Sequence, residues 1–354
     1  MKKIKIFLGA YINSINAQNL NCRSLTEHLD KKRFEIYTLT LFSGELDTPH
    51  IEGVKYFNCF RPHKISKYIG YLWGIINCDI AYLPKGEICR WNKFWVKLLR
   101  KKSFKTVEGI YGDDMMKQFS DSGIDYGKFL ESKEGYDKVY SITDFLRKYN
   151  YRRHGMESEK RILYLGTDTE CFLNEQEKTG KLENIIFIGR LKERKGVFDF
   201  LHIAETFPQL NFFMAGEGED RDRIEKLIRE RGMNNVTLLG SLTHEKLADI
   251  LKTMDLHLFP SRSEGFPKVT LETAAAGVPS LVYSDYGAEE WITDHENGFV
   301  VDTLDEMENT VRELADNPEL LKKTSKNAVE LAKRFDWKVV IKDWENVIEE
   351  LYQR

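Results

Sequence analysis

No run in this chain is apolar enough to span a bilayer: the longest strongly apolar stretch, Tyr68 to Ile76, falls well short of the ~18 residues that a spanning helix needs. Met1-Lys2-Lys3 leads straight into a strand-like Ile4-Lys5-Ile6-Phe7-Leu8, so no signal peptide is expected. Cysteine is scarce. The five residues, at 22, 59, 78, 89 and 171, are odd in number and form no C-x-x-C pair, which argues against a disulfide framework or a structural zinc site and makes a cytosolic compartment the default. Only 8 prolines and no low-complexity segment leave little room for disorder. The eight histidines show no H-E-x-x-H or other ligand spacing, and His202, His244 and His257 fall in periodic segments as ordinary core or surface residues. Neither Ser261 nor Ser263 lies in a G-x-S-x-G elbow, so covalent hydrolase chemistry has no support.

What is present is a 354-residue chain with 42% hydrophobic and 31% charged residues, enough for two globular domains with sizeable cores. Its charge is uneven. Residues 1–150 hold 25 Lys and Arg against 17 Asp and Glu, whereas residues 151–354 hold 28 against 39. The basic excess concentrates between 51 and 105, where Tyr68, Tyr71, Trp73, Trp91, Phe94 and Trp95 interleave, a composition that suits an anionic partner. Arg90 to Lys105 reads as one helix with Trp91, Phe94, Trp95, Leu98 and Leu99 on one side and Lys93, Lys97, Arg100 and Lys101 on the other. Such a helix suits an anionic membrane surface, where aromatics partition and each lysine adds about 1 kcal/mol; the plainer alternative is an apolar side packed on a sheet beneath solvated lysines. No helix-turn-helix, zinc or RNA-recognition signature accompanies the basic stretch, so nucleic acid is not expected as a partner.

Strand-like runs alternate with helix-length amphipathic segments, the signature of parallel sheets built from βαβ units. The pattern predicts an α/β protein of two doubly wound, Rossmann-like halves. In the first, strands are expected at Ile4 to Leu8, Phe34 to Leu41, Asp79 to Leu83, Lys105 to Glu108, Lys138 to Ile142 and Arg161 to Leu165, with helices between them, Gln18 to Leu29 for example. A polar stretch, residues 167–182 with Asn174-Glu175-Gln176-Glu177-Lys178, reads as the linker after a first domain of residues 1–166. Strands of the second domain, residues 183–335, are expected at Asn184 to Ile188, Asn211 to Ala215, Val236 to Leu239, Leu256 to Phe259, Ser280 to Tyr283 and Phe299 to Val301. Helices close the chain from about residue 304, with a break at Asn317-Pro318.

Two segments carry chemistry. Gly189-Arg190-Leu191-Lys192-Glu193-Arg194-Lys195-Gly196 follows a strand end, where ligands bind in open α/β sheets. Gly189 lets a ligand approach the backbone, Arg190 can grip two phosphate oxygens as a fork, and Lys195 supplies a point charge. In Phe259 to Glu272, Pro267 fits the first position of a helix and Gly265 leaves the approach to it open. The free N–H groups of Phe266, Lys268 and Val269 then point at an anion, aided by the helix dipole, which makes a phosphate cradle without a metal. Glu264 and Glu272 bracket this cradle as acceptors for paired sugar hydroxyls.

Gly189-Arg190-Leu191 with Lys195-Gly196, Ala215-Gly216-Glu217-Gly218, Pro260-Ser261, Glu264-Gly265-Phe266 with Glu272, Ala276-Gly277-Val278-Pro279 and Asn297-Gly298 together closely resemble the family 4 retaining glycosyltransferases of the GT-B fold. The resemblance is strong over about residues 184–335. Before that it is weaker, carried by Val139-Tyr140-Ser141-Ile142-Thr143 and Tyr164-Leu165-Gly166-Thr167-Asp168. It implies two Rossmann-like domains facing across a cleft, the first binding the acceptor and the second a nucleotide-diphosphate-sugar donor, with residues 336–354 packing back on the first. Arg190 and Lys195 would neutralise the leaving diphosphate, Glu264 would hold sugar hydroxyls and Glu272 the ribose; Gly189, Gly216, Leu242, Gly265, Phe266, Pro267 and Lys268 complete the implied donor set. Transfer would retain the anomeric configuration and need no metal or other cofactor. The implied activity is that of a hexosyltransferase, EC 2.4, acting on a glycan or lipid-linked glycan, cytoplasmic or peripheral at the inner membrane face.

The first domain departs from the family. A Gly-Gly pair often follows its first strand, but here the loop from Gly9 reads Ala10-Tyr11-Ile12-Asn13, leaving Gly9, Ala10 and Asn13 as the possible contacts. Relatives often carry Thr-x-His-Gly where this chain has Thr106-Val107-Glu108-Gly109, which puts Glu108 in the place of a sugar contact. Asp220-Arg221-Asp222 has the D-x-D form of a metal motif, yet it opens a helix, where acids favour the dipole. Gly216-x-Gly218 lacks the third glycine of a dinucleotide fingerprint, position 221 being Arg. A sugar-nucleotide epimerase, a phosphorylase or a non-catalytic sugar-nucleotide-binding subunit are the competing readings; no pyridoxal-bearing lysine setting is recognisable for the phosphorylase.

Overall fold

The computed structural model describes residues 2–42, 50–123, 125–174 and 178–353. The chain divides into unit 1, Met1–Leu165 with Val340–Arg354, and unit 2, Gly166–Val339. The described residues of unit 1 form one parallel sheet of β1 (Ile4–Tyr11), β2 (Phe34–Leu41), β3 (Val54–Cys59), β4 (Ile80–Tyr82), β5 (Lys102–Val107) and β6 (Lys138–Ser141), in spatial order β3-β2-β1-β4-β5-β6. Helices α1 (Ala17–His28), α2 (His63–Asn77), α3 (Cys89–Leu98), α4 (Asp113–Asp121), α5 (Tyr126–Glu131) and α6 (Asp144–His154) lie between the strands in sequence. Strand order reverses between β1 and β4, the kind of switch point outside whose carboxyl ends ligands bind.

Several expectations for this half are corrected. β3 went unread because it is an edge strand whose residues are mostly half-exposed and include Lys55 and Asn58, so no apolar run marks it. Arg161 to Leu165 is not a strand: one isolated bridge, Ser141 to Ile162, is its sheet contact. The expected helix from Arg90 to Lys105 stops at Leu98, as Arg100 turns left-handed at φ 51° and Lys101 N–H closes on the Val96 carbonyl at 2.9 Å. Residues 102–105 then belong to β5, where Ser103 and Lys105 are buried despite their polarity.

Unit 2 repeats the design. Its strands are β7 (Asn184–Ile188), β8 (Asn211–Ala215), β9 (Val236–Gly240), β10 (Leu256–Phe259), β11 (Ser280–Tyr283) and β12 (Phe299–Val301), ordered β12-β11-β10-β7-β8-β9, the same order as in unit 1 when counted from each unit's first strand. Of these, β7, β10 and β11 are short apolar runs buried on both faces, the sequence form of a parallel strand covered by helices. The helices are α7 (Val197–Thr206), α8 (Arg221–Arg231), α9 (His244–Leu251), α10 (Lys268–Ala275), α11 (Leu304–Asp316) and α12 (Pro318–Arg334). Asn317 caps α12 by accepting from Leu320 N–H at 3.2 Å, with Pro318 in the first turn.

Of the polar stretch read as a linker, residues 175–177 lie outside the described residues. Its flanks are tied to unit 2: Phe172 is in the apolar core, Thr169 donates to Asp336 through N–H and Oγ–H at 3.2 and 2.5 Å, and Lys178 Nζ donates to the carbonyls of Leu251, Lys252 and Met254. The last helix, α13 (Trp337–Gln353), is fixed to unit 1 beyond Val340. There Trp344 is fully buried, donates its indole N–H to the Tyr164 carbonyl at 2.9 Å and packs edge-on to Tyr82 at 5.4 Å, while Arg33 pairs with Glu345 at 2.7 Å. No helix among the described residues is long and apolar enough to cross a membrane.

Candidate active site

In unit 2 the loops after β7, β8 and β10 converge at the carboxyl ends of their strands. After β7 the chain runs through Gly189 and Arg190, closes a 3-10 turn over Glu193–Lys195 and enters α7 through Gly196, left-handed at φ 75°. A Cβ on Gly196 would stand 1.9 Å from the Pro260 carbonyl oxygen, and one on Gly216, at φ 143°, 1.8 Å from that of Gly189. Only glycine permits approaches so close. The first seats the β7 loop on the β10 loop and so carries Lys195 to Glu264.

Lys195 Nζ ion-pairs with Glu264 Oε1, which also accepts the Ser261 hydroxyl at 2.5 Å. The two side chains are only 17% and 11% exposed, so the pair acts in a lowered dielectric. Oε2 of Glu264 has no hydrogen-bond partner among the described residues. Arg194 fastens the same two loops by donating to the Ser263 carbonyl at 3.0 Å. Arg190 is exposed, and its guanidinium is unpaired among the described residues. Asp220 holds the β7 loop: it accepts from Glu193 N–H at 2.7 Å and from Arg223 at 2.6 Å.

The helix beyond Glu264 begins one residue later than the sequence suggested. Pro267 is still extended at ψ 96° and stands at the cap, so Lys268 is the first helical residue of α10. Thr270 N–H is taken by the Pro267 carbonyl at 3.0 Å, whereas Val269 N–H has no partner among the described residues. Gly265 is half-buried, and Phe266 packs against Trp291 and Phe335 with centroids at 5.0 and 5.6 Å. Lys268 Nζ lies 5.3 Å from the Trp337 ring. On the second turn Glu272 is half-buried and its carboxylate makes no hydrogen bond among the described residues. Burial raises its carboxyl above the ordinary range, against the pull of His244 and Lys268. Leu242 packs on the apolar core of unit 2. His257 is a core residue: fully buried, 2.9 Å from Ser280 Oγ through Nδ1, and held neutral by desolvation, which lowers its pKa to about 3.

Ser261, Asp220 and His244 were not legible as site residues. Ser261 and Asp220 act by aiming other groups, and His244 reaches Glu272 only through the fold. The one sequence signal was Ser261 in Pro260-Ser261 beside Glu264.

In unit 1 the candidates scatter. β1 runs on through Gly9 and Ala10 to Tyr11, so these two are buried strand residues and not part of a loop. The pairing register shifts between Leu8 and Tyr11, and the Thr38 hydroxyl bridges the displaced Leu8 and Ala10 carbonyls at 3.0 and 3.3 Å. Asn13 is engaged with Leu41, donating to its carbonyl and accepting from its N–H at 2.8 Å each. Glu108, after β5, accepts from Asn21 at 3.0 Å, Thr106 at 2.8 Å and Tyr82 at 3.3 Å. The membrane candidates do not form the two clean faces expected. Trp91 and Trp95 turn largely inward, Lys93 donates to the Glu131 carbonyl at 3.0 Å and Lys101 to that of Cys78 at 2.6 Å, whereas Lys97, Arg100, Phe94 and Leu98 are exposed together.

Two such six-stranded parallel sheets with flanking helices are the GT-B fold of glycosyltransferases. Residues 168–331 match the family described as glycosyl transferases group 1. It is 25% identical to an uncharacterized glycosyltransferase of Methanocaldococcus jannaschii over 96% of both chains. Among solved structures, sucrose-phosphate synthase from Thermosynechococcus elongatus superposes with a TM-score of 0.80 at 17% identity, covering 99% of this chain and 100% of that one. HepE of Anabaena, in complex with UDP and glucose, gives 0.78 at 14% identity over 98% and 100%.

One group near Glu108 gives unit 1 a measurable pH dependence. Burial lowers the Lys133 ammonium from 10.5 to about 8, although Glu108 opposes the shift. Above pH 8 the folded chain has released a proton that the unfolded chain keeps until 10.5, so this group makes stability rise with pH. From pH 8 to 10 its contribution to the unfolding free energy should climb by on the order of 2 kcal/mol. Urea unfolding of the parent and of Lys133→Met at both pH values checks this: the climb should be smaller in the variant by about that amount, and equal slopes would contradict the assignment.

Proposed function

We propose that the enzyme transfers a sugar from a nucleotide-diphosphate-sugar to a hydroxyl of a glycan or lipid-linked glycan, with retention of configuration and without a metal. The observation that carries this reading is the Lys195–Glu264 pair, aimed by Ser261 and flanked by the unpaired Arg190 and the open start of α10. Lys195 and Arg190 would neutralise the diphosphate as the anomeric C–O bond breaks, with α10 contributing its dipole. Glu264 binds Lys195 through Oε1, leaving Oε2 for a donor-sugar hydroxyl, and Glu272 would accept from the ribose. The acceptor oxygen then bonds to the anomeric carbon on the face the diphosphate leaves, and its proton passes to the departing phosphate. The complex of the Anabaena neighbour with UDP and glucose supports a nucleotide-sugar donor.

The lipid-linked acceptor rests on unit 1. Ile65, Tyr68 and Ile69 of α2 and Phe94 and Leu98 of α3 are exposed beside Lys64, Lys97 and Arg100, and a Tyr68–Trp91 edge contact at 5.3 Å joins the two helices. Apolar side chains among cations fit an anionic membrane surface.

Lys195→Ala and Glu264→Ala should each lower transfer by at least ~100-fold, since losing one transition-state charge contact costs several kcal/mol. Near-parental turnover of Lys195→Ala would overturn the phosphate role. Vesicle sedimentation tests the surface: the protein should pellet with anionic vesicles at low salt and with neither anionic vesicles at high salt nor neutral ones. Failure to pellet with anionic vesicles at low salt would remove the membrane contact and leave the transfer reading standing.

A further inference from the structure

Lysine is almost never fully buried unless it is paired. Unit 1 nevertheless buries Lys85 in the loop after β4, Lys105 within β5 and Lys133 in the loop between α5 and β6, with exposures of 9%, 0% and 4%. Lys85 pairs with Glu87 at 2.9 Å. Lys105 donates its hydrogen bonds only to carbonyls, those of Leu83 and Lys85 at 3.2 Å each. Lys133 has neither a side-chain hydrogen bond nor an ion pair among the described residues; its ammonium rests 4.1 Å from the Phe129 ring centroid and 5.2 Å from that of Tyr111. Beside them lies Tyr136, whose ring centroid is 5.4 Å from Lys105 Nζ and whose buried hydroxyl has no partner among the described residues. Gly86, in the loop after β4, abuts Ser132, which brings that loop against the segment carrying Lys133.

We propose that this part of unit 1 is a phosphoryl-binding site formed by Lys133, Lys105 and the Tyr136 hydroxyl, and that the acceptor supplies the phosphoryl group. A desolvated cation without a counter-ion is stabilised strongly by an incoming oxyanion, and point-charge ammonium groups suit its tetrahedral oxygens. Lys105 and Lys133 lie within electrostatic reach of one another. The facing titratable groups are Glu108 and Cys89 for both lysines and Lys93 for Lys105. Glu108 is already satisfied by Asn21, Thr106 and Tyr82, so it narrows the excess of positive charge without filling the site. The acceptor half of the proposal rests on the transferase reading above, whereas the anion site does not.

The test is calorimetric titration of the full chain with inorganic phosphate, against sodium chloride of equal ionic strength, with UDP titrated in parallel. Phosphate should bind saturably to the parent and to Lys195→Ala, and at least 10-fold more weakly to Lys133→Met. Should Lys133→Met lose its circular-dichroism signature, Tyr136→Phe replaces it, with a loss of about 3-fold expected. No phosphate heat beyond chloride, or parental affinity in the folded unit 1 variant, would overturn the site; loss in Lys195→Ala alone would move the phosphate to unit 2. A failed UDP titration with the Lys133-dependent phosphate binding intact would strike at the donor reading and leave this site standing. With a donor in hand, phosphorylated acceptors should exceed their unphosphorylated forms by at least 10-fold in kcat/KM. Equal use would restrict the site to free phosphate and overturn the acceptor half.

Discussion

The chemistry of unit 2 depends on how closely its loops can approach one another. Gly196 and Gly216 let backbone pass backbone at distances that any Cβ would forbid, and the 3-10 turn just before Gly196 delivers an ammonium group to a carboxylate 69 residues away in sequence. Asp220 and Arg194 then hold the loop from two sides. On the proposed function, a lysine fixed in this way would need little reorganisation as charge develops on a leaving diphosphate, the condition under which electrostatic stabilisation is most effective.

Both units have the same strand order, yet their strand ends differ in kind. Unit 2 presents paired or solvent-exposed charge around a helix start, as a site for a released nucleotide diphosphate would. Unit 1 has its cations inside, set on aromatic faces and carbonyls: Lys85 over Tyr11, Lys105 near Tyr136 and Lys133 over Phe129. Lys85 is paired with Glu87, but Lys105 and Lys133 have no carboxylate partner among the described residues, a setting that an incoming oxyanion would stabilise.

Legibility followed the same division. Strands such as Ile185-Ile186-Phe187 and Leu256-His257-Leu258-Phe259 are short apolar runs between polar breaks, and the sequence places them within a residue of their observed ends. β5 begins with Lys102-Ser103 and carries Lys105, so its first half looks like the tail of a helix; β3 has polar residues at an exposed edge and gives no period. The glycines, Arg190, Lys195, Glu264 and Glu272 were legible because each is chemically marked and closely spaced. Ser261 and Asp220 were not, since a residue that aims another is visible only when both positions are known. The buried lysines were hidden by their own type, which reads as surface.

The measurement closest to the central claim is the shift in melting temperature produced by UDP, GDP and ADP and their sugar conjugates, with and without EDTA, in the parent and in Lys195→Ala. A ligand at 100 times its dissociation constant stabilises by about 2.7 kcal/mol, well within reach of the method. The account predicts a shift selective for one base, unchanged by EDTA and sharply reduced in the variant. A shift that EDTA abolishes, or one equally large in Lys195→Ala, would contradict a metal-free cradle built on the Lys195–Glu264 pair.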